Sequence, residues 1–221
     1  MQTKIFQTKI QASKVAAKII AAEIKQKPNS LLALATGKTM IPIYKELIKL
    51  KPDFSQVKTF NLDEYVNSNE YHNFMNKYLF SKTNIKKSNI HFPKNKNYDN
   101  EIKKSGGIDL CILGIGMNGH IAFNEPGTKF STKTHITNLS EETRKVNKTK
   151  HKKAITVGIS TILKSKKIFL IATGSSKAKA IQQTLKGKIS ESIPATALRK
   201  HKNTTIILDK DAAKMLKKRK I

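Results

Sequence analysis

The chain has 221 residues, 38% of them hydrophobic, and a formal net charge of +28. That apolar content suffices for one compact domain with a full core, and no run of 18 apolar residues is available to span a membrane. The charge draws in anionic ligands and permits nonspecific association with polyanions. However, only Arg144, Arg199 and Arg219 are arginines and the other 40 of the 43 basic residues are scattered lysines. This is a pattern of solvated faces, not of a dedicated nucleic-acid surface built on arginine.

In chain order, Val15, Ala16, Ile19, Ile20 and Ile24 form a stripe that predicts a helix over 12–26, ending before Pro28. Residues 30–35 form a short apolar run typical of a buried strand, followed by Thr36-Gly37-Lys38-Thr39 and a helical pattern over 41–50. A second strand over 57–62 ends at Asp63-Glu64-Tyr65, and a helix is predicted over 71–80. The polar stretch 81–107, rich in lysine and asparagine, predicts loop with one helical turn around Glu101. Further strands are predicted over 108–113, 155–158, 167–172 and 204–208, with a helix over 175–185 and Asp209 capping a basic tail helix. The run 145–153, with Val146 its single apolar residue, is the least patterned interior segment. Alternating strands and helices imply a doubly wound, Rossmann-like α/β fold, in which one mainly parallel sheet carries helices on both faces and a single domain covers 1–221.

The first six residues lack the apolar run and cleavage site of a signal peptide, and Cys111 is the single cysteine. An intramolecular disulfide is therefore excluded and a reducing, cytoplasmic setting is expected. Cys111 sits inside a predicted strand and fills core; it is not placed as a nucleophile.

In open α/β sheets ligands bind at the carboxyl ends of strands. The predicted strand 108–113 ends in glycine there, and within eight residues follow Asn118, His120, Asn124 and Glu125. An imidazole exchanges protons near neutrality, and Glu125 is spaced to orient the ring and support its charged form. No His-x-x-x-His pattern or cysteine pair completes a metal site, so neither metal nor organic cofactor is expected. Asp63 and Glu64 end a strand, where a carboxylate serves either as a base or as a turn or helix-cap acceptor, and the residue types leave both roles open. Thr36-Gly37-Lys38-Thr39 and Thr173-Gly174-Ser175-Ser176-Lys177 each place backbone N–H groups at a helix N-terminus, where a phosphate is held. Lys177 opposes the helix dipole, which an anion would offset. Two such turns on one sheet point to a phosphorylated small molecule.

Together the segments Ala35-Thr36-Gly37, Phe60-Asn61-Leu62-Asp63-Glu64-Tyr65-Val66, Leu113 through Gly127, and Ala172-Thr173-Gly174-Ser175-Ser176-Lys177-Ala178 resemble the glucosamine-6-phosphate deaminase/isomerase family. The resemblance runs in the same order from about residue 31 to 211. Its most specific part is Asn118-Gly119-His120-Ile121-Ala122-Phe123-Asn124-Glu125-Pro126, which differs after Gly-His in the more distantly related 6-phosphogluconolactonases. It implies that His120, assisted by Asn118 and Glu125, moves the proton that opens the sugar ring. Asp63 then carries a proton from C2 to C1. Water releases ammonia from C2 and leaves fructose 6-phosphate. Thr36, Gly37, Lys38, Thr39, Ser175 and Lys177 would hold the phosphate.

The chain departs from the family in several places. Lys38 and Met40 replace a small residue and a proline of the first turn, and the loop after Val66 shortens to Asn67-Ser68-Asn69-Glu70. Where relatives carry a lid with a further arginine after Arg144, this chain has Lys148-Thr149-Lys150-His151, in which Lys148 or Lys150 would supply charge without a bidentate clamp. Other readings compatible with these motifs are galactosamine-6-phosphate deamination, another sugar-phosphate isomerase or lactonase, or a catalytically weakened relative that binds polyanions.

Overall fold

The structure, a computed structural model, describes residues 1–216. In chain order it contains β1 (Gln2–Phe6), α1 (Lys9–Gln26), β2 (Leu31–Leu34), α2 (Met40–Lys49), β3 (Lys58–Asn61), β4 (Asp63–Tyr65), α3 (Glu70–Tyr78), β5 (Ile90–His91), α4 (Tyr98–Lys104), β6 (Leu110–Leu113), β7 (His135–Asn138), α5 (Glu141–Asn147), β8 (Lys153–Thr156), α6 (Ile159–Ile162), β9 (Lys167–Ala172), α7 (Ala178–Lys186) and β10 (Thr204–Asp209).

Seven strands form a wholly parallel sheet in the order β1-β10-β9-β6-β2-β3-β5. Strands β2 and β6 are buried along their whole length, as a sheet covered on both faces requires. The chain works outward from β2 and β6 in both directions, and right-handed crossovers then put helices on opposite faces. A second, antiparallel sheet joins β4, β8 and β7. One continuous core runs from Ala12 to Ala213 and contains Cys111. At the amino ends of the strands, buried Asp109 accepts from Lys27 and Lys166 Nζ and from the Leu31 N–H, which ties α1, β2 and the approach to β9 together.

Several elements differ from the sequence expectation. Residues 2–6 add an edge strand, and α1 begins earlier than residue 12 because Thr8 and Gln11 form a capping box. The polar stretch 81–107 holds the helical turn expected around Glu101, as the seven-residue α4, and adds β5; buried Tyr98 anchors α4, its hydroxyl 3.0 Å from the carbonyls of Asn61 and His91. The strand expected at 155–158 is β8, which starts at Lys153 and belongs to the small sheet. The run 145–153 is largely ordered as the end of α5 and the start of β8. After β10 the chain forms turns through residue 216, not a helix. Asp209 accepts from the N–H groups of Gly174 and Ala212, so it joins the last strand to the turn after β9. The remainder of the expected tail helix, 217–221, lies outside the described residues.

Candidate active site

Four neighbouring strands, β9, β6, β2 and β3, send their carboxyl ends to one cleft of about 490 Å³. It lies where the chain reverses its direction across the sheet, between β2 and β6, the place a parallel sheet opens a crevice. Thr36, Gly37, Lys38 and Thr39 line it from β2, Asp63 from β3, and Asn118 and His120 from β6. From the β9 side come Thr173, Ser176 and Lys177, so Ser176 rather than Ser175 faces the cleft.

β3 ends at Asn61, and the chain turns at once into β4, which leaves the main sheet. Successive strand residues point to opposite sides, and this separates the two adjacent carboxylates. Glu64 turns away and accepts from the N–H groups of Tyr65, Tyr71 and His72, capping α3. Asp63 turns into the cleft, 6% exposed, and its Oδ1 has no partner among the described residues. Burial, reinforced by the Glu64 charge, pushes its carboxyl up to about 8. Burial and the Asp63 charge likewise raise the Tyr44 and Tyr71 phenols, which therefore stay protonated.

The loop after β6 is wound tightly. The Gly116 N–H donates to the His120 carbonyl, and Gly119 turns with φ +85°. A Cβ on Gly116 would lie 2.3 Å from the His120 ring, so only glycine lets the imidazole rest on this backbone. Asn118 performs two tasks: Oδ1 accepts the His120 N–H at 3.1 Å and Nδ2 donates to Glu125 Oε2 at 2.8 Å. An aspartate at 118 would face Glu125 across that distance and need a shared proton, whereas the amide leaves Glu125 ionised. Glu125 sits behind the wall, 3.7 Å from His120 Nδ1. Burial alone would raise its carboxyl, but the nearby imidazole, the Thr143 hydroxyl and the hydrogen bond from Asn118 hold it at about 2. Phe123 and Asn124 fasten the segment to β8 through Thr156 Oγ1 and the Val157 carbonyl.

The amides of Lys38 and Thr39 donate to no protein acceptor among the described residues, and the turn carries Gly37 at φ +105° before α2. At the second turn, burial lowers the Lys177 ammonium while the Glu142 charge opposes that fall. Lys148 and Lys150 do not take over the missing clamp. They line a separate recess of about 360 Å³ with Glu141, Arg144, Lys145 and Thr149, and the cations in the main cleft are Lys9, Lys38 and Lys177. The shortened lid is fastened instead by His151, whose Nε2 lies 2.7 Å from Glu70 Oε1 while its ring stacks on Tyr65. Among the described residues, no group of three His, Cys, Asp or Glu is placed to hold a metal ion.

Sequence reasoning passed over Tyr71, Ser140, Thr143 and Asn147. Tyr71, Thr143 and Asn147 line the cleft, and Ser140 caps the helix that carries Thr143 and Asn147. The readable sign was Ser140-Glu141-Glu142-Thr143, a helix start with two acids in its first turn.

A family model described as glucosamine-6-phosphate isomerases/6-phosphogluconolactonase matches residues 7–207. The chain belongs to that family. Among its relatives, the glucosamine-6-phosphate deaminase of Thermoanaerobacter sp. (strain X514) is 47% identical, with 88% of this chain and 87% of that protein covered. The glucosamine-6-phosphate deaminase of Clostridium botulinum (strain Hall) is 45% identical, with 88% and 90% covered. A solved monomeric glucosamine-6-phosphate deaminase superposes with a TM-score of 0.94 at 39% identity, over 97% of this chain and 100% of that one. A 6-phosphogluconolactonase from Thermotoga maritima shares the fold at 23% identity and a TM-score of 0.78, over 95% and 99%.

Proposed function

We propose that this family member is a glucosamine-6-phosphate deaminase that converts glucosamine 6-phosphate and water to fructose 6-phosphate and ammonia. The observation that carries this reading is the meeting of Asp63 and His120 in one cleft beside two anion-binding turns. The deaminases among its relatives share 45–47% of their residues with it, whereas the lactonase likeness is one of fold.

The turn Thr36–Thr39, with Ser176 and Lys177 at the second helix start, binds the phosphate through backbone N–H groups and one ammonium. His120 removes the proton from the anomeric hydroxyl and returns it to the ring oxygen as the C1–O5 bond breaks, with Glu125 and Asn118 fixing the ring. Asp63 takes the C2 proton and delivers it to C1. The electron pair passes through a C1–C2 enolamine and comes to rest as a C2 iminium, and water adds there and ammonia leaves. A carboxyl raised toward neutrality suits this task, because it both accepts and returns a proton at working pH.

The same proposal treats 1–221 as one domain, supported by the continuous core. It places the protein in the cytoplasm, where phosphorylated sugars reside, and no helix among the described residues is long and apolar enough to cross a membrane. Polyanion association is a salt-sensitive consequence of the +28 charge. The test is incubation with glucosamine 6-phosphate while following ammonia and fructose 6-phosphate, with galactosamine 6-phosphate alongside. Product formation no faster than in an Asp63→Asn control refutes the reading.

A further inference from the structure

Of the lysines that line the cleft, Lys38 and Lys177 belong to the two anion-binding turns, and Lys9 belongs to neither. It comes from a third place, the junction of β1 and α1. β1 pairs with β10 so that Phe6 lies opposite Asp209, and Asp209 accepts the Gly174 N–H at 3.0 Å. The end of β1 is thereby fixed beside the second turn, and α1 starts three residues later, at Lys9. The same helix packs against α2, which follows the first turn. Lys9 is thus tied to both turns at once, to one by strand pairing and to the other by helix packing.

This is a costly place for a cation unless an anion is bound. Lys9 is the first residue of α1, where the helix dipole is positive, and the first turn holds no acid. The side-chain oxygens of that turn already serve backbone groups: Gln11 Oε1 accepts the Gln7 and Thr8 N–H groups, and Thr8 Oγ1 accepts the Gln11 N–H. Asp63, Glu70 and Glu142 line the same cleft, yet Lys9 forms no ion pair among the described residues. Glu70 is taken by His151 at 2.7 Å. Lysine carries its charge on a long stem as a point charge with three donors, which suits a ligand oxygen of no fixed orientation.

We propose that Lys9 is a phosphate-binding residue, whose ammonium joins the two turns and Lys177 in a subsite selective for the doubly charged phosphate of the sugar. Backbone N–H groups accept any anionic oxygen, whereas two ammoniums held on different helices make the second charge count. Lys9 acts in binding alone, so its removal registers in KM and leaves kcat in place. This inference rests on the proposed deaminase reading and adds a residue to its phosphate site.

The test compares the full-length chain with Lys9→Ala, Lys9→Met and Lys9→Arg at about 0.15 M salt, where distant surface charges are largely screened. Lys4→Ala is the control, because it removes an equal charge from the exposed face of β1, outside the cleft. On glucosamine 6-phosphate the alanine and methionine variants raise KM about 10-fold, the scale of one hydrogen bond to a charged group, with kcat within about 2-fold. Lys9→Arg stays within about 3-fold of the unaltered chain, and Lys4→Ala does not move KM. Calorimetric titration with inorganic phosphate shows the same order of affinities. The inference is overturned if KM and phosphate affinity are unchanged in Lys9→Ala and Lys9→Met, or if Lys4→Ala weakens both equally. A fall in kcat at constant KM overturns it as well. If the unaltered chain forms no fructose 6-phosphate, the deaminase reading fails, and the phosphate titration still judges Lys9 separately.

Discussion

Replacing Asp63 by asparagine should cripple catalysis and stabilise the fold at once. The carboxyl is 6% exposed, has an unpartnered oxygen, and sits beside Glu64, so folding raises it from its ordinary 3.8 to about 8. A carboxyl raised on folding binds more protons in the folded chain than in the unfolded one. Its contribution therefore becomes more unfavourable as pH climbs from 3.8 to about 8. At 1.36 kcal/mol for each pKa unit the full cost is bounded near about 6 kcal/mol. Water in the cleft and relaxation around the charge reduce it, and asparagine has its own burial cost. The stability advantage of Asp63→Asn should thus widen by about 1–3 kcal/mol between pH 5 and pH 8. For a chain of this length that is a Tm gap growing by roughly 2–10 °C. Scanning calorimetry of both chains across that pH range measures it, alongside a loss of ~10²–10⁴ in kcat. A Tm difference that stays flat with pH, or an asparagine variant that is the less stable at pH 8, would show that Asp63 is not held as a costly base.

Three other substitutions probe the rest of the site. Gly116→Ala forces a Cβ to within 2.3 Å of the His120 ring, and steady-state kinetics should show a loss of about 10² in kcat from a misplaced base. Lys177→Ala removes a half-buried cation from the second phosphate turn and should raise KM about 10–100-fold, with kcat changed far less. Glu64→Gln weakens the cap on α3 by about 1–2 kcal/mol, measured by urea unfolding. It also removes the charge that helps raise Asp63, so the acid limb of the kcat–pH profile should move to lower pH. A limb that stays in place would separate Glu64 from the base entirely.

The segment 140–152 is held by point contacts: Thr143 on the imidazole, and His151 on Glu70 and Tyr65. Lysines nearby contribute to a separate recess and not to the cleft. Under the proposed reading, phosphate affinity rests on the two turns and Lys177, and the backbone N–H groups of the turns depend on chain conformation more than on side-chain identity.

The buried parallel strands β2, β6, β9 and β10 were legible because a strand covered on both faces must be largely an apolar run, and such runs stand out in a polar chain. The glycine-bounded turns after β2, β6 and β9 were legible for a similar reason, since their backbone conformations restrict which residues fit. Other elements gave no such sign. β5, β7 and α5 are short or polar, and they hold their shape through partners far along the chain, as β5 does by pairing with β3. Composition alone left Asp63 and Glu64 equivalent; the alternation of β4, locked by pairing with β8, sent one into the cleft and the other onto α3. The contact of Thr143 with His120 lay further still from view, because it joins two segments more than twenty residues apart. Local chemistry wrote the sheet and its phosphate turns into the sequence. Which carboxylate is the base, and what holds the imidazole, was decided by long-range packing, which no local pattern encodes.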